Sequence, residues 1–187
     1  MTIQGLGRFG VWRHYAGVTP EDVGVLESLG YSALWLGGSP PAALDMIDPL
    51  LEETENLIIG TSIVNVWSAP AKETAESFHR IDERFPGRFI LGVGIGHPEH
   101  TSVYRKPYDA LVDYLDALDE GGVPQGKRAL TAPGSDRLID ALAPHGTADT
   151  IGAALTEHLT AGADQVAIQP LGDDYLTTLR ALAPVLA

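Results

Sequence analysis

Short apolar runs alternate along this chain with longer stretches in which apolar residues recur every three or four positions. That alternation sets the expected elements. "GRFGVW" (7–12) reads as a first strand. Thr19-Pro20-Glu21 then opens a helix, because a Thr N-cap followed by Pro at the first helical position is a start signal. Val23, Leu26 and Leu29 follow at helical spacing until Gly30 closes the segment. "SALWLGG" (32–38) predicts a second strand, and the residues from Pro41 a helix with Leu44, Ile47, Leu50 and Leu51 on one side. "NLIIGTSIVNVW" (56–67), rich in β-branched residues, predicts a third strand. The helix after it, from about Pro70, carries Ala71, Ala75, Phe78 and Phe85 on one stripe.

Residues 88–96 predict a fourth strand, and Pro107–Glu120 a helix with Leu111, Tyr114, Leu115 and Leu118. "RALTA" (128–132) starts a fifth strand. "SDRLIDALAPHG" and "TADTIGAALTEHLTAG" are both helical, the second ending at Gly162. "DQVAIQPL" (164–171) is a further strand, and Asp173 or Asp174 caps a last helix reaching Ala183. Repeated strand–helix units with apolar strands imply a parallel sheet covered on both faces. A doubly wound sheet and a (β/α)8 barrel both fit, although a full barrel takes about 250 residues and the chain has 187.

Composition narrows the function classes. Lys and Arg number 12 against 25 Asp and Glu, so the net charge is 12 − 25 = −13. Such acidity repels nucleic-acid phosphates and anionic membranes. Cysteine is absent, which removes disulfides, thiolate metal sites and a Cys nucleophile. No signal-peptide pattern and no apolar run of spanning length is visible, so a cytoplasmic location is expected. Glu52, Glu53 and Glu55 read as a solvated rim.

The densest candidate chemistry is "RFILGVGIGHPEH" (88–100). As a dinucleotide loop it fails: Gly92-x-Gly94-x-x puts His97 where a third glycine belongs, and the shifted frame puts Glu99 there. As a metal site it offers His97 and His100 without a third ligand, at the wrong spacing for a helical pair. No Gly-x-Ser-x-Gly elbow occurs. What remains is the C-terminal end of a parallel strand, where α/β barrels place their active sites. The corresponding strand ends are Trp12-Arg13-His14, Gly37-Gly38-Ser39, Asn65-Val66-Trp67, Gly96-His97 and Gln169. Gly92 and Gly94 either leave room for a flat ligand or relieve crowding inside a barrel.

"NLIIGTSIVNVWSAPAKETAESFHRIDERFPGRFILGVGIGHPE", together with the closing "HLTAGADQVAIQPL", resembles the luciferase-like monooxygenase superfamily, in particular its branch using the deazaflavin coenzyme F420. The resemblance implies a single (β/α)8 TIM-barrel-like domain over 1–187, usually dimeric, with F420 or FMN at the top of the barrel. It places Ser62-Ile63 where such proteins carry a non-prolyl cis peptide behind the ring, and Gly94 and Gly96 along the strand facing the cofactor. It places His97 where a deazaflavin-dependent sugar dehydrogenase has a carboxylate acid; imidazole can move a proton there. Gly38, Ser39 and Asn65 would orient ring or substrate, and Arg13, Lys72 and Lys127 are candidate phosphate partners.

Two departures from that family stand out. Gly37-Gly38-Ser39 replaces a histidine after strand 2, which argues against glucose-phosphate chemistry. After Thr131-Ala132 the text passes directly into a segment resembling the end of the family's sequences, so 1–132 supplies the N-terminal units and 133–187 the closing ones. Two or three strand–helix units are missing, and the barrel is incomplete with about six strands. The expectation is therefore hydride transfer between F420 or FMN and a small organic substrate. The alternative is a shortened, non-catalytic flavin-binding or homodimerising barrel whose open edge needs cover.

Overall fold

The computed structural model describes residues 5–97, 103–124, 144–172 and 174–187. Strand β1 (Phe9–His14) is followed by a single 3-10 turn (Tyr15–Gly17) and helix α1 (Pro20–Ser28). Then come β2 (Ala33–Gly37), α2 (Ile47–Glu52), β3 (Ile58–Thr61), β4 (Val64–Asn65) and α3 (Ala71–Arg84). The described remainder is β5 (Phe89–Ile90), β6 (Val93–Gly94), α4 (Pro107–Glu120), α5 (Ala148–Thr160), β7 (Val166–Ile168) and α6 (Tyr175–Leu186). The expected strand over 128–132 and the 132/133 junction lie outside the described residues.

Five strands form one parallel sheet in the order β5-β3-β2-β1-β7. The last strand therefore lies beside the first, the neighbour relation that closes a (β/α)8 barrel. Beyond β5 and β7 the sheet is open among the described residues. This is a mixed α/β fold with a parallel sheet, an incomplete barrel. β4 and β6 pair separately and continue β3 and β5 past a break.

Alternation along each strand sorts the residues into two faces. Val11, Leu34, Ile59, Phe89 and Ile168 are register neighbours. All are buried in the main core with Leu26 and Val23 of α1, Leu51 of α2, Ile81 of α3, Leu155 of α5 and Leu179 of α6. Each fully buried Leu or Ile contributes about 1.5–3 kcal/mol, so this outer face holds the helices to the sheet. A smaller cluster of Ala75, Tyr114, Leu118 and Val123 packs α4 on α3, with the Tyr114 hydroxyl 2.9 Å from Thr74 Oγ1.

Caps follow the sequence closely. Thr19 and Asp22 form a reciprocal capping box with Pro20 at the first position of α1. Asp174 Oδ1 accepts the Thr177 N–H at the start of α6. Thr147 caps α5. The helix expected from Pro41 is shorter, beginning only at Ile47. A helix there would need the Ala43 carbonyl for Ile47 N–H, but Ser77 Oγ and Arg80 of α3 take that carbonyl and Ile47 N–H donates to Leu44. The first strand also sits later than expected, at 9–14, and the last helix runs past Ala183 to Leu186 with Pro184 inside it. The strands expected over 56–67 and 88–96 are each split in two.

Candidate functional site at the strand ends

The inner face of the sheet explains the glycines. Gly10, Ala33, Ile58 and Ala167 form its lowest layer; Trp12, Trp35, Gly60 and Ile90 the next; His14 and Gly37 the third. Trp12 of β1 lies across Gly37 of β2, His14 across Gly38, and Trp35 across Gly60 of β3. The pattern continues beyond the break, with Ile63 against Gly94 and Asn65 against Gly96. Each large side chain leans onto a glycine of the following strand, and a Cβ at Gly94 or Gly96 would lie 3.2 Å from Ile63 Cγ1 or 2.7 Å from Asn65 Nδ2.

The break between β3 and β4 is the Ser62-Ile63 peptide, which is cis. Its surroundings hold it on both sides. Ser62 N–H donates to the Leu36 carbonyl at 2.7 Å, and Val64 N–H to the Gly92 carbonyl at 2.9 Å. Thr61 Oγ1 donates to the Gly92 carbonyl at 2.8 Å and accepts the Gly92 N–H at 2.9 Å. Thr61 thus bonds both the N–H and the carbonyl of Gly92 where the strands part, the carbonyl also accepting Val64 N–H, and β4 and β6 resume pairing one step on.

Asn65 is 5% exposed, yet only half of its amide is used. Oδ1 accepts the Trp67 N–H at 3.0 Å, which fixes the amide plane and directs Nδ2 over Gly96. Among the described residues Nδ2 has no hydrogen-bond partner. Trp67 is itself pinned, its indole N–H donating 2.9 Å to the Ile95 carbonyl and its ring tilted 5.6 Å from Tyr104. Gly96 takes φ +58°, and exposed His97 follows it at the mouth. On the β2 side, Gly38 and Ser39 are exposed and turn the chain out of the sheet with φ +86° and +56°. Gln169 is exposed beyond β7.

The structure thus brings Ser62, Ile63, Asn65, Gly94, Gly96 and Trp67 together at one lip and places His14, Gly38 and Ser39 at the ends of the neighbouring strands. His14 facing Gly38 needed the register, which no local pattern displays. The candidate phosphate partners are dispersed. Lys72 is an exposed α3 residue 3.9 Å from Glu76. The Arg13 guanidinium lies 3.9 Å above the Tyr175 ring on the outer face. There burial, then the Asp22 charge, pushes the Tyr175 phenol up to about 12, so it stays neutral. Lys127, Glu99 and His100 lie outside the described residues. Glu53 and Glu55 are exposed as expected of a rim, while Glu52 pairs with Arg84. No group of three metal-ligating side chains occurs among the described residues. No described helix is long and apolar enough to cross a membrane.

A curated relative is an F420-dependent glucose-6-phosphate dehydrogenase of Microbacterium testaceum (strain StLB037). It is 34% identical over 87 residues, 40% of this chain and 26% of the relative, so the match spans about a quarter of that protein's length. The β2–α4 region carrying the cis peptide and the glycine-bound lip coincides with a wider match: the family model for luciferase-like monooxygenases covers residues 21–122, over half of the chain, which belongs to that family.

Proposed function

We propose that this chain is one barrel domain of a cytoplasmic, homodimeric oxidoreductase that transfers hydride between coenzyme F420 and a small organic substrate. FMN is the alternative cofactor. The observation that carries this proposal is Asn65, a buried residue at the strand end whose Oδ1 is fixed by Trp67 and whose Nδ2, over Gly96, meets no described residue. A planar heterocycle with ring carbonyls and nitrogens offers the acceptor that Nδ2 lacks, and Gly94 and Gly96 give Ile63 and Asn65 the room to face it. Ser62 and Ile63 would back the ring, Gly38 and Ser39 would border the substrate, and His97 at the mouth would give or take a proton. The deazaflavin supplies the hydride chemistry; the protein supplies position and hydrogen bonds.

The name of the F420-dependent relative supports that cofactor class. The Gly37-Gly38-Ser39 turn and the short match argue for a substrate other than a sugar phosphate. A second proposal is favoured by the sheet's being open beyond β5 and β7 among the described residues: a shortened, non-catalytic barrel that dimerises to cover its edges. A fluorescence titration of the purified chain with F420 and with FMN separates the two. Saturable binding at micromolar concentration or below supports the oxidoreductase. Absence of binding to either at tens of micromolar removes it and leaves the dimerising barrel, which light scattering then tests.

A further inference from the structure

The geometry points to His14 as the residue that selects a deazaflavin over a flavin, by donating a hydrogen bond to an oxygen at the end of the ring system away from Asn65. This rests on the ring-binding proposal above. His14 ends β1 on the inner face, with Gly37 as its register neighbour. Its Nδ1 accepts the Ala16 N–H at 3.3 Å. A neutral imidazole has one donor and one acceptor nitrogen, so this bond places the proton on Nε2. The Tyr15 ring stacks on the imidazole at 5.0 Å with 21° between planes, which holds the ring's orientation. The imidazole lies across the Cα of Gly38, in the space a side chain there would fill.

Nε2–H has no partner among the described residues and stands at the exposed mouth. Neighbouring strands are about 4.8 Å apart, so the ends of β1 and β3 are separated by about 10 Å. That is comparable to the long axis of a fused three-ring heterocycle. Asn65 lies on the continuation of β3, so two free donors flank the span such a ring would cross. A hydroxy-deazaflavin carries oxygens at both ends of its long axis. A flavin carries oxygens at its pyrimidine end and only methyl groups at the other. Two donors at opposite ends match the first chemistry; opposite methyl groups, the Nε2 donor would stay unmet.

The experiment compares dissociation constants of F420 and FMN for the full chain, His14→Phe, His14→Gln and Gly38→Ala, each checked for folding by circular dichroism. At pH 8, 15N spectra of the histidine rings follow Nε2–H of His14. The expected result is tighter binding of F420 than FMN by the unaltered chain. His14→Phe weakens F420 about tenfold with FMN unchanged. His14→Gln, which keeps an N–H donor, recovers part of the loss, and Gly38→Ala, which displaces the imidazole, reproduces it. The Nε2–H resonance shifts with F420 but not with FMN. Equal losses for both cofactors, no loss for F420, or an unmoved resonance overturns the inference while leaving ring binding intact. Failure of the unaltered chain to bind either cofactor overturns both.

Discussion

The lower and upper ends of the sheet's inner face treat polar groups in opposite ways. At the lower end Gln165 is fully used: Oε1 accepts the Trp35 indole N–H at 2.7 Å, and Nε2 donates to the Gly7 carbonyl and to Ser32 Oγ. Ser32 Oγ donates onward to the Phe9 carbonyl. Just below β3, the Glu27 carboxylate accepts the N–H groups of Glu55, Asn56 and Leu57 at 2.6–3.2 Å. Arg88 threads the same corner through the carbonyls of Leu51, Thr54 and Leu57. At the upper end, Asn65 Nδ2 and His14 Nε2 are unmet by any described residue, although Oδ1 of the one and Nδ1 of the other accept backbone N–H groups. One end is closed on itself; the other leaves two donors unmet by the described residues, which the proposed cofactor would meet. A fold that tolerated unmet donors at its base would lose stability with no ligand to offset the cost.

The largest expected effect is at the junction between the two ends. Gly92→Ala sets a methyl group against the Thr61 backbone carbonyl, which cannot swing aside. A loss of about 3 kcal/mol in urea unfolding is expected. An unchanged midpoint would mean that the Thr61–Gly92 bonds are not what holds the break in place. Next, Gln165→Leu strands the Trp35 N–H and the Gly7 carbonyl and should cost about 1–3 kcal/mol. Cofactor affinity, measured in parallel, should stay the same. Weakened binding there would erase the distinction between base and mouth.

Glu27→Gln is expected to cost about 1 kcal/mol at pH 7, with a characteristic pH dependence. Burial raises the Glu27 carboxyl, but the N–H donors of Asn56, Glu55 and Leu57, together with Arg88, outweigh it and hold the group below its ordinary range. Its contribution is therefore complete above the unfolded-state value of about 4.3 and is lost as pH falls through the depressed folded value. The stability gap between the two proteins should close in acid; a gap constant from pH 7 to pH 3 would contradict this assignment. The smallest stability change is expected for Asn65→Ala, about 1 kcal/mol or less from the lost Trp67 contact. Yet its cofactor affinity should fall about tenfold, and retained affinity would remove Asn65 from the ring site.

Much of the framework was legible along the chain, because it depends on neighbours in sequence. Thr19-Pro20 and Asp174 announce helix starts through side-chain geometry that acts over three residues. The apolar runs around Val11, Leu34 and Ile59 announce buried parallel strands, since both faces of such a strand are covered. The glycines of 92–96 were visible as an anomaly, but their two explanations were inseparable without knowing what stood opposite. The shortened α2 was invisible for the same reason: the Ala43 carbonyl is taken by α3 side chains more than 30 residues away.

By itself, then, the sequence determined the parallel α/β class, the alternation of strands and helices among the described residues, and the region where the strand ends gather. Periodicity and capping are local, and burial against helices leaves a direct apolar signature. The register decided the rest. Only when β1, β2 and β3 are laid side by side does His14 fall across Gly38 and Trp35 across Gly60, and only the pairing of β4 with β6 sets Asn65 over Gly96. A shift of one residue would turn each of those side chains to the opposite face, so the mouth and its two unmet donors are products of tertiary packing.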